Sequence, residues 1–153
     1  MANLVEIEKL LKERGFKYRV IDLGGEIFSV EDVVAAGVER KEVVKTLLVR
    51  TNDGFVALCL RGDDRVDFKK VRAMFGNRSE MAKPDEVLKI VGVPIGAVCP
   101  ILVGAPVCLD EQVMKIEKVN MGSGNLEKGL EMKLADLLTV IGNYEVKDLS
   151  KNE

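Results

Sequence analysis

Apolar residues at Leu4, Ile7, Leu10 and Leu11 return at helical spacing between Asn3, a suitable N-cap, and Gly15, a suitable stop. The pattern predicts an amphipathic helix at the start of the chain. The run KYRVID (17–22) reads as a short strand, and Ser29, followed by Glu31, Asp32 and an Ala/Val run up to Gly37, predicts a second short helix capped by the serine hydroxyl. Next come VVKTLLVR and FVALCL, two strand-like runs separated by TNDG, whose Asp-Gly pair is expected to supply the positive φ angles of a tight hairpin. A basic helix is expected around Phe68 to Phe75, and KPDEVLKIVG places proline at a helix start and glycine at its end. VMKIEKVN and LEMKL read as later strands, ADLLTVIG as a closing helix, and KDLSKNE (147–153) as a frayed polar tail. One domain over residues 1–146 followed by that tail suits a chain of 153 residues, which is too short for two comfortable cores.

The stretch from Val91 to Leu109 stands apart: it has no charged residue, yet holds three of the four prolines and three glycines. Its length approaches a membrane span, but Pro94, Pro100 and Pro106 would each break a helix at a cost of roughly 3 kcal/mol. Extended, apolar backbone lying against the core remains, with Gly92, Gly96 and Gly104 allowing another strand or a ligand to come close.

Composition narrows the chemistry. Hydrophobic residues make up 47% and charged residues 31%, with both signs interspersed, as in a soluble globular protein; the charged, helical start lacks a secretory core, so a cytoplasmic location is expected. Histidine is absent, which removes the commonest general base and every imidazole-based triad or zinc motif. Cys59, Cys99 and Cys108 fall at no metal spacing and read as buried thiols, so neither a metal nor another cofactor is expected. The net charge of −2 argues against a strongly basic nucleic-acid coat. A local excess does occur from Arg61 to Lys83, where seven cations face four acids; a solvated helix face is the plain reading of such a run.

Strand alternation in VVKTLLVR sets Val43, Lys45, Leu47 and Val49 on one face and Val44, Thr46, Leu48 and Arg50 on the other. Lys45 thus shares an aliphatic face. It either snorkels to solvent or stands half-buried in a pocket where its charge acts strongly on an anion.

Several of these pieces together resemble the YbaK-type aminoacyl-tRNA deacylases, the family that includes the editing domain of bacterial prolyl-tRNA synthetases. IFSVEDVVAAGVERKEVVKTLLVR holds Phe28 and, 17 residues on, Lys45 followed by Thr46 and Leu47; GVPIGAVCP holds Gly96 and Ala97; MGSGN holds Ser123 and Gly124. Ala97 stands where the pattern has a second glycine, Cys99 where it has serine and Val44 where it has phenylalanine. The resemblance implies an α/β fold of the α+β type, a single domain with a curved mixed β-sheet flanked by helices. It implies hydrolysis of mischarged aminoacyl-tRNA of the Cys- or Ala-tRNA(Pro) kind, by water attack on the ester. Lys45 would anchor the acceptor terminus beside that water as the catalytic residue. Phe28, Thr46, Gly96, Ala97, Ser123 and Gly124 would bind substrate, and the Arg61–Lys83 segment would steer the acceptor stem. The partners implied are the aminoacyl-tRNA acceptor end and, optionally, prolyl-tRNA synthetase, with no DNA and no membrane. The departures at Ala97 and Cys99 motivate a second reading, a non-catalytic module that binds tRNA acceptor ends or nucleotides.

Overall fold

The computed structural model describes residues 3–151. The first helix, α1 (Leu4–Glu13), begins where Asn3 accepts a hydrogen bond from the Glu6 N–H at 2.9 Å, and it buries Ile7 and Leu11. Strand β1 (Arg19–Asp22) leads through a loop to α2 (Val30–Ala35), capped by Ser29, whose hydroxyl accepts from the Asp32 N–H. Then β2 (Val44–Thr51) and β3 (Gly54–Arg61) form the expected hairpin, in register from Val44↔Arg61 to Thr51↔Gly54. Its turn departs from expectation: Gly54 has a φ of 127°, whereas Asn52 and Asp53 are not among the residues at positive φ, so glycine alone carries the unusual backbone.

Beyond the hairpin lie α3 (Phe68–Phe75), β4 (Glu80–Met81), α4 (Pro84–Val91), β5 (Val107–Asp110), β6 (Lys118–Gly122), β7 (Lys128–Lys133), α5 (Leu134–Ile141) and β8 (Tyr144–Lys147). The domain is mixed α/β with five α-helices among the described residues, but its strands form two sheets in place of one curved sheet. A three-stranded antiparallel sheet has the order β1-β7-β6, and a five-stranded mixed sheet the order β4-β2-β3-β5-β8, in which β5 runs parallel to β3 and β8. A single parallel bridge between Val43 and Asn120 joins them.

Alternation along the hairpin feeds two cores. Val44, Leu48, Ala57 and Cys59 point into the larger cluster with α1, α4, α5 and the buried part of the Val91–Leu109 stretch. Val49, Val56, Leu58 and Leu60 point the other way, onto Val71 of α3 and Leu149. The proline-rich stretch is core wall interrupted by exposed turns: Ala97 to Ile101 are buried, while Ile95 and Leu102 face solvent. No helix of the described residues is long and apolar enough to cross a membrane.

The expectation of a frayed tail from Lys147 is corrected. Lys147 closes β8, Leu149 is fully buried, and the Asp110 carboxyl accepts from the Leu149 N–H at 2.7 Å and the Ser150 N–H at 3.1 Å. Residues 152–153 of that segment lie outside the described residues. VMKIEKVN also divides, its first part being a 3-10 turn (Glu111–Lys115) and only its end a strand.

Candidate active site

Past the Val43–Asn120 bridge the two sheets separate, and a cavity of about 220 Å³ opens between β2 and β6. Its walls are mostly aliphatic, with contributions from the whole run Val43–Leu48, from α2 and from the loop before α2. Phe28, Lys45, Thr46 and Gly96 all line it. Phe28 stands 71% exposed at the rim, its backbone N–H donating to Asp32 so that the start of α2 fixes its place.

Lys45 is half-buried on the Leu47 and Val49 face of β2, and its Nζ donates to the Gly62 carbonyl at 3.2 Å. Desolvation lowers its pKa from the usual lysine value; Asp64 and Asp63 pull the other way, and Arg65 adds to the lowering. Gly62 is packed too tightly for a side chain, since a Cβ would come within 2.9 Å of Val43. Arg40 braces this corner by binding Asp63 at 2.7 Å and Glu31 of α2 at 2.7 Å. The ammonium is therefore held at one end of the cavity with a neutral carbonyl as its hydrogen-bond partner, leaving its charge available to an incoming anion.

Glycine packing forms the floor. Gly96 has a φ of 93°, and a Cβ there would sit 3.0 Å from the Ile27 carbonyl. Gly122, which also lines the cavity, lies so close to the Val98 carbonyl that a Cβ would approach to 2.3 Å. Ala97, Ser123 and Gly124 do not line it. Ala97 is fully buried, its N–H donating to Pro94 and its carbonyl accepting from the Gly124 N–H at 2.7 Å. The Ser123 hydroxyl, also fully buried, donates to the Lys128 carbonyl at 2.6 Å and closes its own loop. These three residues brace the glycine floor, and the N–H groups of Ala97 and Gly124 are already engaged.

The neighbouring thiols are not ready nucleophiles. Burial pushes the Cys59 and Cys99 thiols up to about 12, far from the thiolate form at neutral pH. Cys99, in the glycine loop, is fully buried. Among the described residues no group of three or more His, Cys, Asp or Glu side chains could hold a metal ion.

Residues 25–140, which include every wall of this cavity except Leu23, match the aminoacyl-tRNA editing domain. The chain belongs to the aminoacyl-tRNA editing domain family. Proline--tRNA ligase of Thermosipho melanesiensis is 39% identical over 75 residues, covering 48% of this chain and 13% of the ligase. The uncharacterized protein YwhH of Bacillus subtilis is 33% identical over 104 residues, covering 66% of each chain. A solved structure described as a candidate trans-editing enzyme for prolyl-tRNA synthetase superposes with a TM-score of 0.84 at 25% identity, covering 97% of both chains. The chain thus spans a small part of the ligase and nearly the whole of the free-standing neighbour.

Within this editing domain, sequence reasoning missed Asn120, Gly122 and Gly62. Asn120 is 4% exposed and lines the cavity; its Nδ2 donates to Glu42 at 3.0 Å and Glu131 at 3.3 Å. In KVNMG it reads as an outward strand residue, and only the bridge to Val43 gives it another place. Two of the seven cations of the basic segment are paired locally, Arg61 with Asp64 and Lys70 with Asp148, and Arg72 lies over the Phe68 ring. A second, more open depression adjoins Gly62 and carries Lys41, Lys115, Lys118 and Lys133.

Proposed function

We propose that this editing domain is an aminoacyl-tRNA deacylase acting in trans on mischarged tRNA, with Cys- or Ala-tRNA(Pro) as the substrate class. The observation that carries the reading is the half-buried Lys45 ammonium at the end of a cavity floored by Gly96 and Gly122. Lys45 holds the phosphate or ribose of the acceptor terminus, and the aminoacyl group enters the aliphatic part of the cavity under Phe28. Water then attacks the ester: its oxygen bonds to the carbonyl carbon, the bond to the ribose oxygen breaks, and a water proton ends on the ribose hydroxyl. The ester is intrinsically labile, so fixing it beside water and stabilising the carbonyl oxygen is enough; one well-placed donor contributes about 2.7–4 kcal/mol. The absence of histidine and the burial of the thiols favour direct water attack over a covalent intermediate. Specificity follows size, because a pocket gains only about 1–3 kcal/mol per methylene and a second hydrolytic site must supply the rest.

The test is release of amino acid from a panel of correctly and incorrectly charged tRNAs, with and without prolyl-tRNA synthetase. Turnover of a small amino acid from tRNA(Pro) at trace enzyme is expected. Salt-sensitive tRNA binding with no turnover on any substrate would instead establish a binding module and overturn the proposal.

A further inference from the structure

With the Ala97 and Gly124 N–H groups engaged, the ester carbonyl needs another donor, and the edge of β2 supplies one. The Gly62 N–H donates to the Val43 carbonyl, so along β2 the odd-numbered residues exchange hydrogen bonds with β3 and the even-numbered ones turn their N–H and C=O to the other edge. On that edge the Leu48 carbonyl accepts from Ala82, β4 pairs only with Val49 and Arg50, and the bridge to β6 is at Val43. Thr46 lies between. No strand pairs with β2 at Thr46 on that edge, and Thr46 lines the cavity. Its side chain is occupied separately, Oγ1 lying 3.6 Å from Cys59 Sγ.

We propose that Thr46 reads the aminoacyl group as though it were a residue of a neighbouring strand, its C=O accepting from the α-ammonium and its N–H donating to the ester carbonyl. A strand residue facing an open edge presents a donor and an acceptor at the spacing that another α-amino acid's own N–Cα–C=O frame completes. An esterified amino acid keeps that frame; a peptide bond is not required. The N–H then faces the oxygen on which negative charge grows during water attack, and the C=O selects acyl groups with a free α-ammonium. Directly paired residues project side chains to the same face, so the substrate side chain lies beside Thr46, Val44 and Leu48, opposite Lys45. This assignment rests on the deacylase reading for its chemistry but not for its geometry.

Amide hydrogen exchange and a single-atom backbone change test it. In the free protein the Thr46 amide should exchange fast while Lys45 and Leu47 are protected. Saturation with 3′-alanylamido-3′-deoxyadenosine, an amide-linked and non-hydrolysable probe, should slow Thr46 at least tenfold. Replacing Thr46 by its α-hydroxy-acid analogue removes the N–H and weakens the Lys45 carbonyl as an acceptor from β3; turnover of alanyl-tRNA should fall about a hundredfold with only a small drop in melting temperature, and lactyl-tRNA, which lacks the ammonium, should be cleaved at least tenfold more slowly by the unaltered protein. A Thr46 amide already protected in the free protein, or unmoved by the probe, overturns the assignment. So does full activity of the backbone variant. If no aminoacyl-tRNA is cleaved at all, the deacylase reading falls, while the exchange measurement still decides the role of Thr46.

Discussion

The five-stranded sheet treats main-chain polarity in opposite ways at two places. Where β5 ends, the buried Asp110 carboxyl accepts from the N–H groups of Gln112, Leu149 and Ser150 and from the Ser150 hydroxyl, so the chain returning there is closed by hydrogen bonds. Along the other edge of β2, no strand pairs with Thr46, which lies beside a cavity. Buried polar groups cost free energy unless paired, so the closed place marks structure, and the unpaired edge is where we propose that a ligand completes the bonding. An acid buried in the core and a polar edge left unfilled look equally unusual in a burial profile; the hydrogen-bond inventory tells them apart.

Asp110→Ala should show the largest stability effect. It strands at least two buried N–H groups, and with about 1–3 kcal/mol for each unsatisfied group the loss should be near 3 kcal/mol, or a melting temperature lower by roughly 6–12 °C. Turnover per folded molecule should hardly change. A neutral result by thermal denaturation would erase the distinction between the two regions. Gly122→Ala should come next: its Cβ meets the Val98 carbonyl, so the floor must shift at a cost of about 1–3 kcal/mol, and turnover should fall as well, because Gly122 lines the cavity. Equal stability and activity in that variant would show that the floor is not tightly fitted. The smallest effect concerns the thiols. With Cys59 and Cys99 raised to about 12, iodoacetamide at pH 8 should leave both unlabelled in the native protein and label both in denaturant, as read by mass spectrometry. Rapid native labelling would place a reactive thiol at the site.

Much of this was legible in the residues. Asn3 and Ser29 cap the helices they precede, Pro84 opens α4, and alternation in VVKTLLVR correctly separates the Lys45 face from the Thr46 face. Local chemistry decides such features. Leu149 was not legible, because a single leucine between polar neighbours is buried only by a carboxyl 39 residues earlier in the chain. The split into two sheets depends on one bridge, and β4, β5 and β8 are too short to display a period. The cavity was half legible. Phe28, Lys45, Thr46 and Gly96 meet around it, but Ala97, Ser123 and Gly124 sit behind the floor, since residues that shape a loop and residues that face its ligand share the same small, polar composition.

Lys45→Met gives the most direct measurement. It keeps an unbranched side chain in the aliphatic setting and removes the charge, so kcat/KM for alanyl- or cysteinyl-tRNA(Pro) should fall about a hundredfold while the fold remains. The pH dependence follows the same group. Because the folded pKa lies below the unfolded lysine value, the unfolded chain binds more protons between the two, and stability of the unaltered protein rises with pH across that window; its activity falls there as the ammonium is lost. The methionine variant should lack both trends. Unchanged deacylation by Lys45→Met, with the alkaline trends intact, would contradict an editing site organised around this ammonium.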